Sequence, residues 1–216
     1  MNRKVTFEAD GISRTFNRRK IFADITFKLS DHQSLAITGK NGSGKSTLIK
    51  ICAGVLSVTG GATILSIDEK KVDPTTVFSY IGFVAPYLQL YDEFSGWENM
   101  KLVGRLRGIQ SPDSAITQLL QRLKLWDRRN DSYKTYSSGM RQRLKYAFAL
   151  LHEPPVLFLD EPTSNLDQEG SDTVYKIMEE QKKKGILIVA TNDEQDLQMC
   201  ERVISLDVPS PKSEGQ

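Results

Sequence analysis

At 216 residues the chain is long enough for one domain with a filled core, or one domain carrying an inserted subdomain, and too short for two full-sized domains. Its 39% hydrophobic and 26% charged residues are those of an ordinary soluble globular protein, which excludes a disordered or fibrous chain. The 29 basic and 27 acidic side chains leave a net charge of +2, too balanced to argue for a nucleic-acid surface.

The N-terminus, Met1-Asn2-Arg3-Lys4-Val5, lacks the apolar stretch of a secretory signal and predicts a cytoplasmic chain. Val5 to Ala9, Ile25 to Leu29 and Ala62 to Ile67 alternate polar and apolar residues, as antiparallel strands of a small β layer do. The basic clusters Arg14 to Lys20 and Lys182 to Lys184 read as solvated faces and turns. Leu35-Ala36-Ile37-Thr38 is a strand running into a glycine-rich loop, then into a helix over Ser46 to Ala53 that Gly54 stops. From about Tyr87 to Tyr136 strand signals fade, while Trp97 to Leu106 and Ile116 to Leu125 carry apolar residues at three- and four-residue steps, which predicts an inserted helical subdomain.

Val156-Leu157-Phe158-Leu159 is a fully apolar strand ending in Asp160-Glu161, and a polar helix, Gln168 to Lys184, leads to another at Ile186 to Ala190. Three such strands, each followed by polar residues, place their loops on one edge of a mainly parallel sheet, where open α/β sheets bind ligands. The apolar runs fall far short of the roughly 18 residues that cross a bilayer, so any membrane role must come through a partner. Cys52 and Cys200 lie in apolar helical contexts without metal-ligand spacing and read as buried free thiols. His32 and His152 read as surface residues, and the tail from Pro209 to Gln216 as flexible, leaving one domain over residues 1–208.

Gly39-Lys40-Asn41-Gly42-Ser43-Gly44-Lys45-Ser46-Thr47 fits G-x-x-x-x-G-K-[ST] between a strand and a helix, the setting that pattern requires. Glycines let successive N–H groups point at phosphate oxygens, and the helix starting near Lys45 turns its positive end to the same charge. The pattern assigns Lys45 to the β- and γ-phosphates of ATP and the Ser46 hydroxyl to Mg²⁺. Asp160 at the end of its strand is a candidate to hold Mg²⁺ through water, and Glu161 a candidate general base for the attacking water.

Tyr136-Ser137-Ser138-Gly139-Met140-Arg141-Gln142-Arg143 precedes Asp160-Glu161-Pro162-Thr163-Ser164-Asn165-Leu166-Asp167. With the phosphate loop, this order and spacing resembles the ATP-binding cassette family from about Val5 to Leu206. The resemblance implies a phosphate-loop α/β core with an antiparallel β layer and a helical subdomain at about 87–136. Ser137, Ser138, Gly139 and Met140 would then face the γ-phosphate held by a second nucleotide-binding subunit, the same chain or a different one, arranged head to tail. Asp167 would communicate across that interface, and Phe16 matches the family's aromatic that stacks on adenine.

Three positions depart from the family pattern. After Ile81-Gly82-Phe83-Val84, Pro86 stands where a glutamine usually contacts Mg²⁺ and water, and proline has neither a side-chain carbonyl nor an N–H; Gln89 is close but out of register. Asn192, in Thr191-Asn192, stands at the place of a histidine that contacts the γ-phosphate, and asparagine carries no positive charge. Loss of such a contact costs about 10²–10³ in rate, so slow hydrolysis with intact ATP binding is expected. The third departure is mild: the signature reads Ser-Ser-Gly-Met where Ser-Gly-Gly-Gln is common, so Ser138 needs a backbone a non-glycine residue can adopt.

The resemblance therefore implies an ATPase subunit of a bacterial exporter, peripheral on the inner face of the membrane. A separate transmembrane permease subunit would dock near Tyr87 to Asn99, and no nucleic acid is expected as partner. A soluble cassette acting on a protein assembly, and a binding-only cassette paired with a competent partner, are the alternatives.

Overall fold

The structure, a computed structural model, describes residues 4–207. Strands β1 (Val5–Phe16) and β2 (Arg19–Ser30) pair antiparallel, from Thr6 opposite Ser30 to Phe16 opposite Arg19. Asn17 and Arg18 between them take positive φ, 46° and 67°, the backbone that lets a two-residue turn follow the twist of its strands. Both strands outrun the expected Val5–Ala9 and Ile25–Leu29, because their pairing continues past register shifts between Ala9 and Thr15 where alternation breaks. The basic cluster from Arg14 to Lys20 is thus the end of a hairpin, and it carries Phe16.

β3 (Ser34–Thr38) leads through the glycine loop into α1 (Lys45–Cys52), one residue earlier than expected at each end, and Gly54 follows in the left-handed region at φ 71°. β4 (Gly60–Ile67) pairs with β1 on the edge away from β2, and β5 (Lys70–Lys71) closes an antiparallel sheet of order β2-β1-β4-β5. β6 (Ile81–Val84) follows, then helices α2 (Gly96–Leu106) and α3 (Asp113–Arg122) with short 3₁₀ turns at Trp126–Arg128 and Tyr133–Thr135. A capping box fixes where α2 starts: Glu98 N–H donates to Ser95 Oγ at 3.1 Å, and Ser95 N–H donates to the Glu98 carboxylate at 2.8 Å.

α4 (Ser138–Leu150), β7 (Val156–Asp160), α5 (Gln168–Lys182), β8 (Ile186–Ala190), α6 (Glu194–Gln198) and β9 (Arg202–Ser205) complete the described chain. β6-β7-β8-β3-β9 form one sheet with every pairing parallel. Strand alternation splits its side chains between two cores. Phe158, Ile186 and Ile188 join α1 and the hairpin, with Phe7 edge-on to Phe158 at 5.5 Å, while Leu157, Leu159, Leu187 and Val189 join α4, α5, Met100 and Ile116. Full burial of each such side chain contributes about 1.5–3 kcal/mol, which is why fully apolar runs become the inner strands.

Two expectations about single residues change. His152 is half-buried, not on the surface: its Nε2 lies 2.9 Å from Ile81 O, and burial pushes its pKa down to about 4, with Arg107 adding to the effect and the bond to Ile81 opposing it. Cys200 lies just past α6 and is only partly buried, whereas Cys52 is buried in α1. His32 is exposed in a turn, at φ 67°. Among the described residues no helix is long and apolar enough to cross a membrane. The expected flexible tail, 209–216, lies outside the described residues, as does residue 208.

Candidate nucleotide site at the strand ends

All five parallel strands deliver residues to one edge. Gly39 follows β3, Ala85-Pro86 follow β6, Asp160 ends β7, Thr191-Asn192 follow β8 and Leu206-Asp207 follow β9. The glycine loop needs its glycines for two reasons. Gly39 and Gly44 sit at φ 146° and 106°, and a Cβ on Gly44 would come within 2.6 Å of the Ile21 side chain on the hairpin. The loop closes on itself: Lys45 Nζ, 6% exposed, donates to Gly39 O at 2.7 Å and reaches Lys40 O at 3.5 Å. Lys40 N–H donates to Asp207 at 2.8 Å, and Leu206 N–H to Thr38 O at 2.9 Å, so β9 braces the loop from a position far along the chain.

Ser46 Oγ donates to Asp160 Oδ1 at 3.1 Å. Asp160 is 1% exposed, and burial raises its pKa against the pull of Ser46, Tyr87, Lys50 and Lys45. Asp160 Oδ2 and Ser43 Oγ are buried without a hydrogen-bond partner, two oxygens facing unmet demands in the cradle itself. A hydroxyl beside one carboxylate suits Mg²⁺, which takes few protein ligands and completes its shell with phosphate and water. Among the described residues no group of three or more His, Cys, Asp or Glu is placed so that it could hold a metal ion.

Glu161 N–H donates to Ala190 O at 2.8 Å, and its φ of 48° is one that non-glycine residues seldom adopt, a strain characteristic of functional positions. Burial raises the Glu161 pKa while the Lys45 ammonium opposes the rise, giving a carboxylate more basic than an exposed one. One pocket gathers Phe16, Ile21, Asn41, Gly42, Gly44, Lys45, Ser46, Thr47 and Glu161. Phe16 is 40% exposed, with the Arg14 guanidinium 4.2 Å over its ring centre.

Asn192 also reaches this edge. Its Oδ1 accepts from Gly39 N–H and Thr38 Oγ1, both at 3.3 Å, and its Nδ2 donates to Asn41 Oδ1 at 3.4 Å. Its amide is therefore engaged with the phosphate loop. Behind it, the buried Asp196 accepts from Thr191 Oγ1 at 2.9 Å and Thr163 Oγ1 at 3.2 Å, tying β8 to the segment after β7. Pro86 and Gln89 are both exposed, and neither lines the pocket.

The signature residues lie elsewhere. Ser137 caps α4 by accepting from Met140 N–H at 3.2 Å; Ser138 is helical, so it needs no glycine-like backbone. Ser137 and Ser138 are exposed, and residues 137–140 take no part in lining the phosphate pocket. A Cβ on Gly139 would lie 3.2 Å from Asn165 O, so the helix start abuts the loop that leads to Asp167. Asp167 is exposed and caps α5, its Oδ1 accepting from Gly170 N–H at 2.8 Å.

Sequence reasoning missed Lys50, Tyr87, Lys145, Asp196 and Asp207. The Lys50 ammonium lies 3.6 Å over the Tyr87 ring, and burial raises the pKa of the Tyr87 hydroxyl, with the Asp160 charge adding to the rise. None of these five belongs to a short motif, and each makes a contact 33 or more residues away along the chain, from Thr163 to Asp196 at the near end to Lys40 and Asp207, 167 residues apart, at the far end. No local signal could have found them.

A family model described as ABC transporter matches residues 22–164. An uncharacterised ABC transporter ATP-binding protein of Bacillus subtilis, YdbJ, is 31% identical over 95% of this chain, which spans 67% of that relative's length. Another from Mycobacterium tuberculosis, Rv0986, is 30% identical over the whole of this chain and 94% of its own. A solved ATP-binding subunit of an ABC transporter superposes with a TM-score of 0.82 at 27% identity, covering 93% of this chain and 85% of that one.

Proposed function

The chain belongs to the ABC transporter family as one of its ATP-binding ATPase subunits, and from that premise we propose that it hydrolyses Mg-ATP slowly, as a head-to-tail dimer driving an exporter. The observation that carries the reading is the single pocket joining Phe16, the glycine loop and Glu161, with the signature residues outside it and exposed. Phe16 stacks on adenine, the N–H groups of Gly39 to Thr47 hold the phosphates, and Lys45 leaves the Gly39 carbonyl for the β- and γ-phosphates. Ser46 and Asp160 would hold Mg²⁺, which would supply charge neutralisation on the phosphate oxygens. Glu161 accepts a proton from the attacking water, and its raised pKa makes it the better base for that transfer.

Ser137 Oγ and the first N–H groups of α4 meet the γ-phosphate bound by the second subunit, and Asp167 lies at the same interface. The chain is then peripheral on the inner face of the membrane, residues 87–136 forming the helical subdomain within a domain over 1–208. A permease helix docks at an apolar groove formed by Val55, Phe78, Phe83, Leu88, Leu106 and Phe148, beside the Tyr87 to Asn99 stretch. Val55, Phe78 and Leu106 are exposed there, which supports a covered state in the assembly. Asn192, bonded to the phosphate loop, and Pro86, without a ligand side chain, favour slow turnover.

The test is phosphate release with Mg-ATP from the wild type and from Glu161→Gln. Measurable turnover that the substitution lowers by about 10²–10⁴, with ATP affinity kept within about threefold, is the expected result. ATP binding without any wild-type release, alone or with a permease, would overturn the ATPase reading in favour of a binding-only cassette.

A further inference from the structure

Lys145 sits on α4, two turns after the signature residues, and is 7% exposed. Its ammonium donates to Pro86 O at 2.6 Å and to Ala85 O at 3.2 Å. Burial lowers its pKa, and the like charge of Arg141 lowers it further. Lys145 has no part in any ion pair among the described residues, so what replaces its water is the carbonyl pair of one turn. That turn is tight: Leu88 N–H donates back to Ala85 O at 3.2 Å, and Pro86 contributes no N–H of its own.

The residue that follows the pinned carbonyl is Tyr87. Its ring lies under the Lys50 ammonium of α1 at 3.6 Å and 6.3 Å from the Phe83 ring. A continuous chain of contacts therefore runs from α4 through Lys145, the Ala85-Pro86 carbonyls and Tyr87 to Lys50 on α1. Both ends of that chain matter to the site already described: Ser137 caps α4, and α1 begins with Lys45 and Ser46.

We propose that Lys145 is a positioning residue that pins the Ala85–Tyr87 turn to the signature helix, so that Tyr87 is held against Lys50 of α1 and the two ATP-facing surfaces of one chain move together. The pin itself is a statement about this chain's contacts; its effect on turnover rests on the ATPase reading above. A buried ammonium is a poor choice for packing alone, since methionine fills similar space without the desolvation. The lysine is explained by the carbonyls it holds.

The experiment compares wild type, Lys145→Met and Lys145→Arg in the full chain by backbone amide exchange without nucleotide and by steady-state ATP hydrolysis. Loss of a charge-assisted hydrogen bond should speed exchange at Tyr87 to Leu90 by about tenfold or more in Lys145→Met, with β7 unchanged, and Lys145→Arg should restore protection. kcat should fall several-fold while the ATP dissociation constant stays fixed, and Tyr87→Phe should add little to Lys145→Met. If Lys145→Met does not fold, Lys145→Gln, which keeps a donor of shorter reach, gives the same exchange readout. Unchanged exchange at Tyr87 to Leu90, or a uniform rise across β7 as well, would overturn the pin. Faster local exchange in a chain that never hydrolyses ATP would keep the pin and remove the ATPase reading, so the two fail separately.

Discussion

The phosphate loop and the start of α4 are both helix N-termini built to meet an anion, yet they sit in opposite circumstances. Around the loop, side chains answer one another within a single chain: Lys45 on Gly39 O, Ser46 on Asp160, Asn192 on Gly39 N–H, Asp207 on Lys40 N–H. At α4, Ser137 does no more than cap its own helix, and Ser137 and Ser138 face outward beside an exposed Asp167. The loop is braced by its own chain around two buried oxygens, Asp160 Oδ2 and Ser43 Oγ, that lack a partner; the start of α4 lies exposed at Ser137 and Ser138. On the function proposed above, the difference makes half of the catalytic apparatus a surface, so single-chain binding and catalysis should respond to different substitutions.

The sharpest way to break that contrast is at Ser137. Ser137→Ala removes a cap worth about 1 kcal/mol, a small loss of thermal stability, and should leave ATP binding to one chain within about twofold. Phosphate release should nevertheless drop by about 10²-fold, as when one donor to a transition-state oxygen is deleted. Equal losses of binding and turnover, read by titration calorimetry beside the release assay, would mean that the signature belongs to the chain's own pocket.

Phe16→Ala probes the other side with a smaller effect. Stacking of a base on an aromatic ring is worth about 1–3 kcal/mol, so ATP affinity should weaken by about tenfold or more, while tripolyphosphate binding stays the same. An equal loss for both ligands would show that Phe16 supports the hairpin and not the base.

How far these regions were legible beforehand follows from the range of the interactions. The inner strands at Val156 and Ile186 declare themselves because both faces are buried and every residue is apolar. The glycine loop, Asp160-Glu161 and Ser137 are contiguous motifs in which backbone conformation and spacing do the work. The hairpin ends at Phe16 and Arg19 are hidden behind bulges that break the period of two. Lys145, Tyr87 and Asp207 matter only because distant segments meet at the strand ends, and no local pattern encodes a meeting of that kind.

His152 shows the same limit on the smallest scale. The sequence reads it as a surface residue, but its Nε2 lies 2.9 Å from Ile81 O and its pKa is pushed down to about 4, below the 6.5 of an exposed imidazole. The unfolded chain takes up that proton first as pH falls, so folding stability should be full above about pH 6.5 and decline toward pH 4. His152→Gln should flatten that part of the profile in urea titrations without touching ATP affinity. A wild-type profile from which this substitution removes no slope would place the acid sensitivity elsewhere, for example in the carboxylates of the phosphate site.

The claim on which the account turns is that a second chain completes the site. Sedimentation of Glu161→Gln with and without Mg-ATP tests it most directly, because blocking hydrolysis should trap the closed state. The account predicts a monomer without nucleotide, a dimer at saturating ATP, and a return to monomer when Ser137→Ala is added. A species that stays monomeric with ATP bound, or a dimer indifferent to Ser137, would contradict it.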